Sequence, residues 1–130
     1  MPTADSGSLI TGVDFTVLPT QDLARAEQWY TEVLGMPIHA RWGDLGVEFQ
    51  AGTISIAVMD PSKVGQEWTA NQGSLALRVN DVAAARAELE SRGVTFFGDI
   101  VDSGVCHQAY FADPDGNALI LHHRYAPSAG

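Results

Sequence analysis

Two adjacent pairs carry the side chains best suited to chemistry in this chain, Cys106-His107 and His122-His123. Imidazole and thiolate groups bind transition metals, and imidazole also transfers protons. Because neighbouring residues of a strand point to opposite faces, each pair offers at most one ligand to a given site. A metal site here would combine His107 or Cys106 with His122 and a third donor such as Glu48. Histidines without a regular motif spacing are weak evidence for such a site.

The same residues are candidates for acid–base catalysis. His107, His122 and Glu48 are side chains that transfer protons in enzymes. The competing interpretation is structural, with hydrogen-bonded strand histidines and a solvated edge glutamate. Cys106 has no activating motif beside it, so a packed thiol is the simpler interpretation.

Composition limits the classes of protein to consider. The chain has 130 residues, a mass of 13.9 kDa and 45% apolar residues, which is enough for one domain with its own core. Seven basic against 16 acidic residues give a formal charge of -9, so nucleic acids and anionic membranes are not expected partners. One cysteine permits no intrachain disulfide, and no stretch approaches the roughly 18 apolar residues of a membrane span. We expect a cytoplasmic protein whose ends, Met1–Ser8 and Pro127–Gly130, fray.

Two helices of the same design begin after Asp22 and Asp81. Each aspartate is a helix-capping residue followed by apolar positions at three- and four-residue spacing, and Gly35 or Gly93 ends the run. A strand precedes each helix, at Gly12–Leu18 and Ser74–Val79. Three further strands follow each helix, at Pro37–Trp42, Gly46–Gln50 and Thr53–Met59 in the first half and at Val94–Phe97, His107–Ala112 and Ala118–His122 in the second.

This duplication predicts an α+β fold of two βαβββ units. Unit one covers about 10–60, a connector covers 61–73, and unit two covers about 74–124, all within one domain that spans 1–130. Each unit is too small to be stable alone, so the two should bury their apolar faces together. Asp113-Pro114-Asp115-Gly116 has the composition of a tight turn and predicts a hairpin of the last two strands.

Several short motifs resemble the glyoxalase/bleomycin-resistance (vicinal oxygen chelate) superfamily in their order, spacing and duplication. They are Asp22-Leu23, Trp29-Tyr30, Val33-Leu34-Gly35-Met36, Val79-Asn80-Asp81-Val82 and Asp113-Pro114-Asp115-Gly116-Asn117. The resemblance spans about residues 12–124. It implies a half-open mixed sheet that curls around a cavity, with the helices on the outside, and chains that pair as homodimers.

The resemblance also locates the positions where metal-dependent members of the superfamily carry their ligands. Those positions fall on Phe15 and Ser74 in the first strand of each unit, and on Ile120 and either Ile56 or Ala57 in the last strands. None of these side chains is a His, Glu or Gln donor, so we expect no metal ion and no cofactor. The departure argues against the metal-dependent activities of the superfamily, which include glyoxalase I, extradiol dioxygenase and fosfomycin-type transferase reactions.

The remaining expectation is a ligand pocket. If Ile120 faces the cavity, alternation places Ala118 and His122 on the same side, and likewise Ser74 with Ala76 and Arg78. Arg78 would hold an anionic group of a ligand or pair with a carboxylate such as Glu48. Trp42, near the mouth of the cavity, is either a stacking surface or part of a core or dimer interface. The predicted pocket comprises Phe15, Trp42, Ser74, Arg78, Ile120 and His122.

The function predicted from these features is metal-independent binding or sequestration of a small organic molecule, in the manner of bleomycin-resistance proteins. The alternative is a glyoxalase-like lyase, isomerase or dioxygenase with a displaced metal site or with His107, His122 or Glu48 as acid and base. In a third interpretation, the main role of the chain is to form a homodimer.

Overall fold

A computed structural model describes residues 9–127, and its first unit follows the predicted order of elements. Strand β1 (Phe15–Pro19) leads to helix α1 (Leu23–Gln28), which continues as a π-helical segment, Trp29–Val33. Strands β2 (Ile38–Trp42), β3 (Gly46–Ala51) and β4 (Ile54–Met59) complete the unit. The predicted cap is confirmed, because the Arg25 N–H donates to Asp22 Oδ1 at 3.1 Å. The expectations for Met1–Ser8 and for residues 128–130 lie outside the described residues.

The second unit repeats this order after a connector that contains one short 3-10 helix, Pro61–Val64. It consists of β5 (Leu75–Arg78), α2 (Val82–Ser91), β6 (Phe97–Asp102), β7 (Cys106–Ala112) and β8 (Ala118–Arg124). The Ala84 N–H donates to Asp81 Oδ1 at 2.9 Å, so this predicted cap is confirmed as well. Within 9–127, no helix is long and apolar enough to cross a bilayer.

Each unit forms a four-stranded mixed sheet, as predicted for an α+β fold of two βαβββ units. Sheet one has the order β1-β4-β3-β2 and sheet two the order β5-β8-β7-β6. The first and last strands of each unit are parallel, and the other pairs are antiparallel. The predicted hairpin is confirmed, since Ala112 and Ala118 are paired on either side of the turn.

One local prediction was wrong. The strand predicted at Val94–Phe97 lies at Phe97–Asp102, because Val94 and Phe96 are buried in the loop after α2 whereas every residue of β6 is exposed. A strand exposed on both faces gives no alternation of apolar and polar residues to recognise. The first helix ends before Gly35 as predicted, with Leu34 as its C-cap, and its second part, Trp29–Val33, is π-helical.

The two units share one core, which is built from their helix-covered sides. Helix α1 packs on β3 and β4, and α2 packs on β7 and β8. Within unit one, Tyr30 stacks on Phe49 with ring centroids 5.3 Å apart. Trp29 reaches across to Phe111 of unit two at 6.4 Å. The units therefore meet through their helical sides and leave the other face of each sheet uncovered by a helix.

The turn after β7 joins the two units through Asp115. Its carboxylate has no exposed surface and accepts hydrogen bonds from three groups of unit one. These donors are the Thr20 hydroxyl at 2.6 Å, the Gln21 N–H at 2.9 Å and the Arg25 guanidinium at 2.9 Å. Burial of a carboxylate is costly unless hydrogen-bond donors surround it, so this contact depends on all three donors remaining in place.

Two further residues of the same turn complete this contact. The Tyr30 hydroxyl donates to Asp113 Oδ2 at 2.7 Å, and the Asn117 amide donates to the Pro19 carbonyl at 2.8 Å. Burial, and then the nearby Asp113 carboxylate, raise the pKa of Tyr30 well above its usual value. We call the contacts of Asp113, Asp115 and Asn117 with unit one the inter-unit lock.

Replacing Asp115 tests the lock. Asp115→Asn keeps the shape of the side chain but removes the charge that three donors surround, so we expect the free energy of unfolding to fall by about 2–4 kcal/mol. The measurement is urea unfolding monitored by tryptophan fluorescence. The matched control is Asp99→Asn, at an exposed position of β6, which should change stability by less than about 0.5 kcal/mol. Equal effects of the two substitutions would show that the lock contributes nothing.

Alkaline unfolding tests the Tyr30 contact. The folded-state pKa of Tyr30 is raised, so its stabilisation is complete below the unfolded-state pKa of about 10 and is lost as pH rises above it. Above pH ~10, the stability of the wild type should decrease by about 1.4 kcal/mol per pH unit more steeply than that of Tyr30→Phe. Parallel pH profiles for the two proteins would contradict the buried, neutral Tyr30.

Candidate functional site

Each sheet has one face that its helix does not cover, and we call these the open faces. Cross-strand partners lie on the same face, so the pairings Phe15–Ser55, Val17–Ala57 and Glu48–Ala57 define the open face of sheet one. Trp42 is paired with Gly46 on this face. Phe15 is 55% exposed and Trp42 is 54% exposed. Two large aromatic side chains, both predicted pocket residues, therefore lie on an uncovered surface.

Glu48 lies beside Trp42 on this open face. The indole N–H of Trp42 donates to Glu48 Oε2 at 2.6 Å, across the β2–β3 pair. Within residues 9–127, the structure shows no ion pair between Glu48 and Arg78, so that predicted alternative is wrong. The contact fixes the orientation of both Trp42 and Glu48.

The open face of sheet two carries most of the predicted polar residues. Arg78, His122 and Gln108 are direct partners along one row of three strands. In the next row, Ile120 is paired with Tyr110, whose hydroxyl donates to Gln108 Oε1. The alternate residues of β8, Leu119 and Leu121, are buried on the helix-covered side.

This face contains residues that were absent from the prediction. Phe97, opposite Tyr110, is 60% exposed, and Gln108 and Tyr110 form a hydrogen-bonded pair beside His122. Phe97 was the last residue of the strand predicted at Val94–Phe97, and the face on which it lies was not assigned. The same period-two rule applied to β7, with the register of the hairpin, would have placed Gln108 and Tyr110 on the face of Ile120.

The positions of the superfamily's metal ligands can now be assigned on the sheets. Phe15, Ala57 and Ile120 lie on the open faces, and Ser74 is exposed immediately before β5. Ile56, in contrast, is fully buried and paired with Phe49 in the core. Ile56 was therefore the wrong choice of the two predicted positions in β4, because it faces the helix. A phenyl group, two alkyl groups and one hydroxyl do not fit a transition metal.

The structure separates the histidines that were considered together. His107 is paired with His123 on the helix-covered side of β7 and β8, whereas His122 is on the open face. The sheet lies between His107 and His122, so the displaced metal site that combined them is not formed. In the part of the chain from 9 to 127, no three His, Cys, Asp or Glu side chains are grouped so that they could hold a metal ion.

His107 belongs to a separate small pocket of about 430 Å³ beside the start of α2. Its Nε2 is 3.4 Å from Asp102 Oδ2, and its ring packs against Tyr125. The Tyr125 hydroxyl donates to Asp102 at 2.7 Å and holds the pKa of that carboxyl below its usual value. Cys106 is buried with its Sγ 3.1 Å from Ser103 Oγ, in accordance with a packed thiol.

A larger groove of about 630 Å³ runs between the two units. It is bordered by β5 and α2 of unit two and by the β3–β4 turn of unit one. Of the six predicted pocket residues, Arg78 alone lines this groove. The prediction missed the groove because it depends on how the two units are placed relative to one another.

A two-unit α+β chain with paired mixed sheets and uncovered faces is the architecture of the vicinal oxygen chelate fold. Residues 12–121 match the model of the Glyoxalase/Bleomycin resistance protein/Dioxygenase superfamily, and the chain belongs to this family.

Three relatives show the breadth of that family. The chain is 26% identical over 118 residues to Glutathione transferase FosA of Serratia marcescens, covering 88% of this chain and 82% of the relative. It is 27% identical to TnmS3, an antibiotic binding protein from Streptomyces sp. CB03234, with a TM-score of 0.74 over 89% of this chain and 98% of that one. Lactoylglutathione lyase from Agrobacterium tumefaciens, at 19% identity, shares the fold with a TM-score of 0.75 over 88% and 94% of the two chains.

The side chains at the superfamily's metal-ligand positions, Phe15, Ala57, Ser74 and Ile120, predict how the protein responds to metal ions. We expect Ni²⁺, Mn²⁺, Fe²⁺ and Zn²⁺ to leave the Tm of the wild type unchanged, because the superfamily positions carry no metal-binding side chains. Installing two donors on neighbouring strands, by Ser74→His with Ile120→Glu, should make the Tm rise by several degrees with Ni²⁺. A stoichiometric ion in the wild type that is lost in His122→Ala or His107→Ala would contradict the assignment.

Proposed function

We propose that this protein binds or sequesters a small organic molecule without the aid of a metal ion. The observation that carries the proposal is the chemistry of the open faces. Where metal-dependent members of the superfamily place ligands, this chain has apolar or small side chains. Exposed aromatic rings surround these positions. Such surfaces bind ligands by apolar burial and stacking, and a few polar groups orient the ligand.

The relatives support a binding role. TnmS3 is an antibiotic binding protein, and its likeness covers nearly the whole of both chains. FosA is a glutathione transferase, but the positions Phe15, Ser74 and Ile120 do not supply the donor set that the superfamily uses for metal-dependent chemistry. We therefore favour an antibiotic as the ligand, and a cytoplasmic location in which sequestration would protect an intracellular target.

We further propose that the cavity is completed by a second copy of the chain. Large apolar residues on both open faces, including Val17, Trp42 and Phe97, are more than two-fifths exposed, which is unusual for a free monomer. The two units have the same architecture. A two-fold axis would therefore place sheet one of each protomer over sheet two of its partner and form two identical cavities. Each cavity would then contain Trp42 from one protomer and His122 from the other.

Ligand binding is tested with an antibiotic panel that spans charge types, from cationic bleomycin to neutral chloramphenicol. At least one compound should raise the Tm and quench tryptophan fluorescence, and the effect should persist in EDTA. Trp42→Ala should weaken binding of that compound by about tenfold or more, because it removes an exposed stacking surface. The control is Val64→Ala, an exposed apolar position in the connector that should leave binding unchanged.

The same samples distinguish binding from catalysis. Mass spectrometry of the compound after incubation should recover it unchanged. Saturable conversion that is lost in His122→Ala or Glu48→Gln would replace the binding function with acid–base catalysis.

Oligomeric state tests the shared cavity. Light scattering after gel filtration should give twice the chain mass of 13.9 kDa, and Phe97→Asp should yield monomers. Val64→Asp introduces the same charge at an exposed position of the connector and should remain dimeric. Dimers that persist in Phe97→Asp would contradict pairing through the open faces.

A mixing experiment tests whether each site draws on two chains. Trp42→Ala and His122→Ala alter different sheets, so a mixed dimer would have one doubly altered cavity and one intact cavity. Mixing equal amounts of the two variants should restore about one quarter of the wild-type binding sites after random subunit exchange, because half of the dimers are then mixed and each mixed dimer has one intact cavity. No recovery from subunits shown to exchange would place both residues in a cavity formed within one chain.

A further inference from the structure

The groove between the units has largely apolar walls, and it meets the open faces at their edges, at Gln50, Ala76 and Arg78. Its walls include Leu34, Met36 and Ile54 from unit one and Leu75, Leu77 and Leu121 from unit two. Leu77 and Leu121 point to the helix-covered side, so the groove penetrates between the units. Its volume of about 630 Å³ is typical of pockets that enclose small organic ligands.

The charges that line the groove are unlike those of the chain as a whole. The lining contains two arginines, Arg78 and Arg92, and one acid, Glu88. Glu88 accepts a hydrogen bond from Arg92 Nε at 3.0 Å, so its charge is already compensated. A chain with a formal charge of -9 thus presents a groove whose uncompensated charge is positive.

Arg78 supplies that positive charge. Within residues 9–127, every other Lys or Arg side chain has an ion pair or a hydrogen bond; these residues are Arg25, Arg41, Lys63, Arg86, Arg92 and Arg124. No such contact of the Arg78 side chain is found among the described residues. Its guanidinium extends from the edge of sheet two toward unit one, where a Cβ at Gly52 would be 3.9 Å from Nη2. The free cation therefore stands at the groove, beside the β3–β4 turn.

We propose that this groove binds an amphipathic organic anion, with a carboxylate or similar oxyanion at Arg78 and an apolar body along the leucine-lined walls. A guanidinium forms strong, directional hydrogen bonds with a carboxylate, and the apolar walls exclude water that would weaken them. Arg78 lies where the groove meets the open face of sheet two, but the leucine side chains that would hold the apolar body lie on the helix-covered side. The groove site does not require that the open faces bind a ligand.

The test uses 11-(dansylamino)undecanoate, whose fluorescence rises in apolar surroundings, and its methyl ester, which has the same body without the charge. The acid should bind about tenfold or more tightly than the ester, the difference expected for a hydrogen bond to a charged group. Arg78→Gln should weaken binding of the acid to the level of the ester. Thr53→Glu places an acid at an exposed position of the groove lining and should weaken binding of the acid selectively.

Two controls make the outcome specific. Arg41→Gln removes the same charge from the other sheet, and Trp42→Ala alters the open face; neither should change the Kd of the acid. The proposal is overturned if the ester binds as tightly as the acid, or if Arg41→Gln weakens binding as much as Arg78→Gln. Loss of binding in Trp42→Ala would assign the probe to the open-face cavity and also overturn it. The proposal is also overturned if neither the acid nor the ester binds, which would be the result if a second copy of the chain filled the groove.

Discussion

Two carboxylates from a single turn are buried between the two units, and the rest of the architecture depends on their hydrogen bonds. Asp115 is surrounded by a hydroxyl, a backbone N–H and a guanidinium, and Asp113 accepts from a buried tyrosine. An unpaired buried carboxylate is costly, so the units are stable in the relative placement that supplies all of these donors. Apolar packing between Trp29 and Phe111 adds to the contact but does not have the same directional requirement.

That placement determines which surfaces remain for function. Because the units meet through their helix-covered sides, the open faces are directed away from the shared core and keep their aromatic side chains exposed. The groove arises from the same contact, since it is the part of the interface that the two units do not fill. The candidate binding surfaces therefore depend both on how the two units pack and on which side chains line the surfaces that remain exposed.

Much of the fold could be predicted from local patterns in the sequence. Capping aspartates, helix-ending glycines and alternating strands are determined by neighbouring residues, and the duplication of unit one in unit two confirmed the order of elements. Strand β6 was misplaced because exposure on both faces leaves no periodic signal. The π-helical winding of Trp29–Val33 was not predicted, because the local sequence pattern there is that of an ordinary amphipathic helix.

The candidate site was predictable to the extent that it follows from strand alternation. The sides of Leu119, Ile120 and Leu121 followed from that rule, whereas the separation of His107 from His122 required the register of the β7–β8 hairpin. The inter-unit lock and the groove could not be predicted, because they join residues far apart in the sequence. Asp115 and Thr20, for example, are 95 positions apart. Motif spacing identifies such residues in the sequence but does not predict which of them are in contact in the folded chain.

The connector between β4 and β5 has a different role from the lock. The contacts that hold unit one to unit two are mostly side-chain and core contacts of the units themselves, so the connector acts mainly as a tether. A short tether gives each unit an effective concentration of its partner of the order of millimolar and enforces a one-to-one ratio. In physical terms the chain is a covalently linked pair of related subunits. Each unit can therefore carry a different open face, with Phe15 and Trp42 on one and Arg78, Gln108 and His122 on the other, while the pairing is maintained.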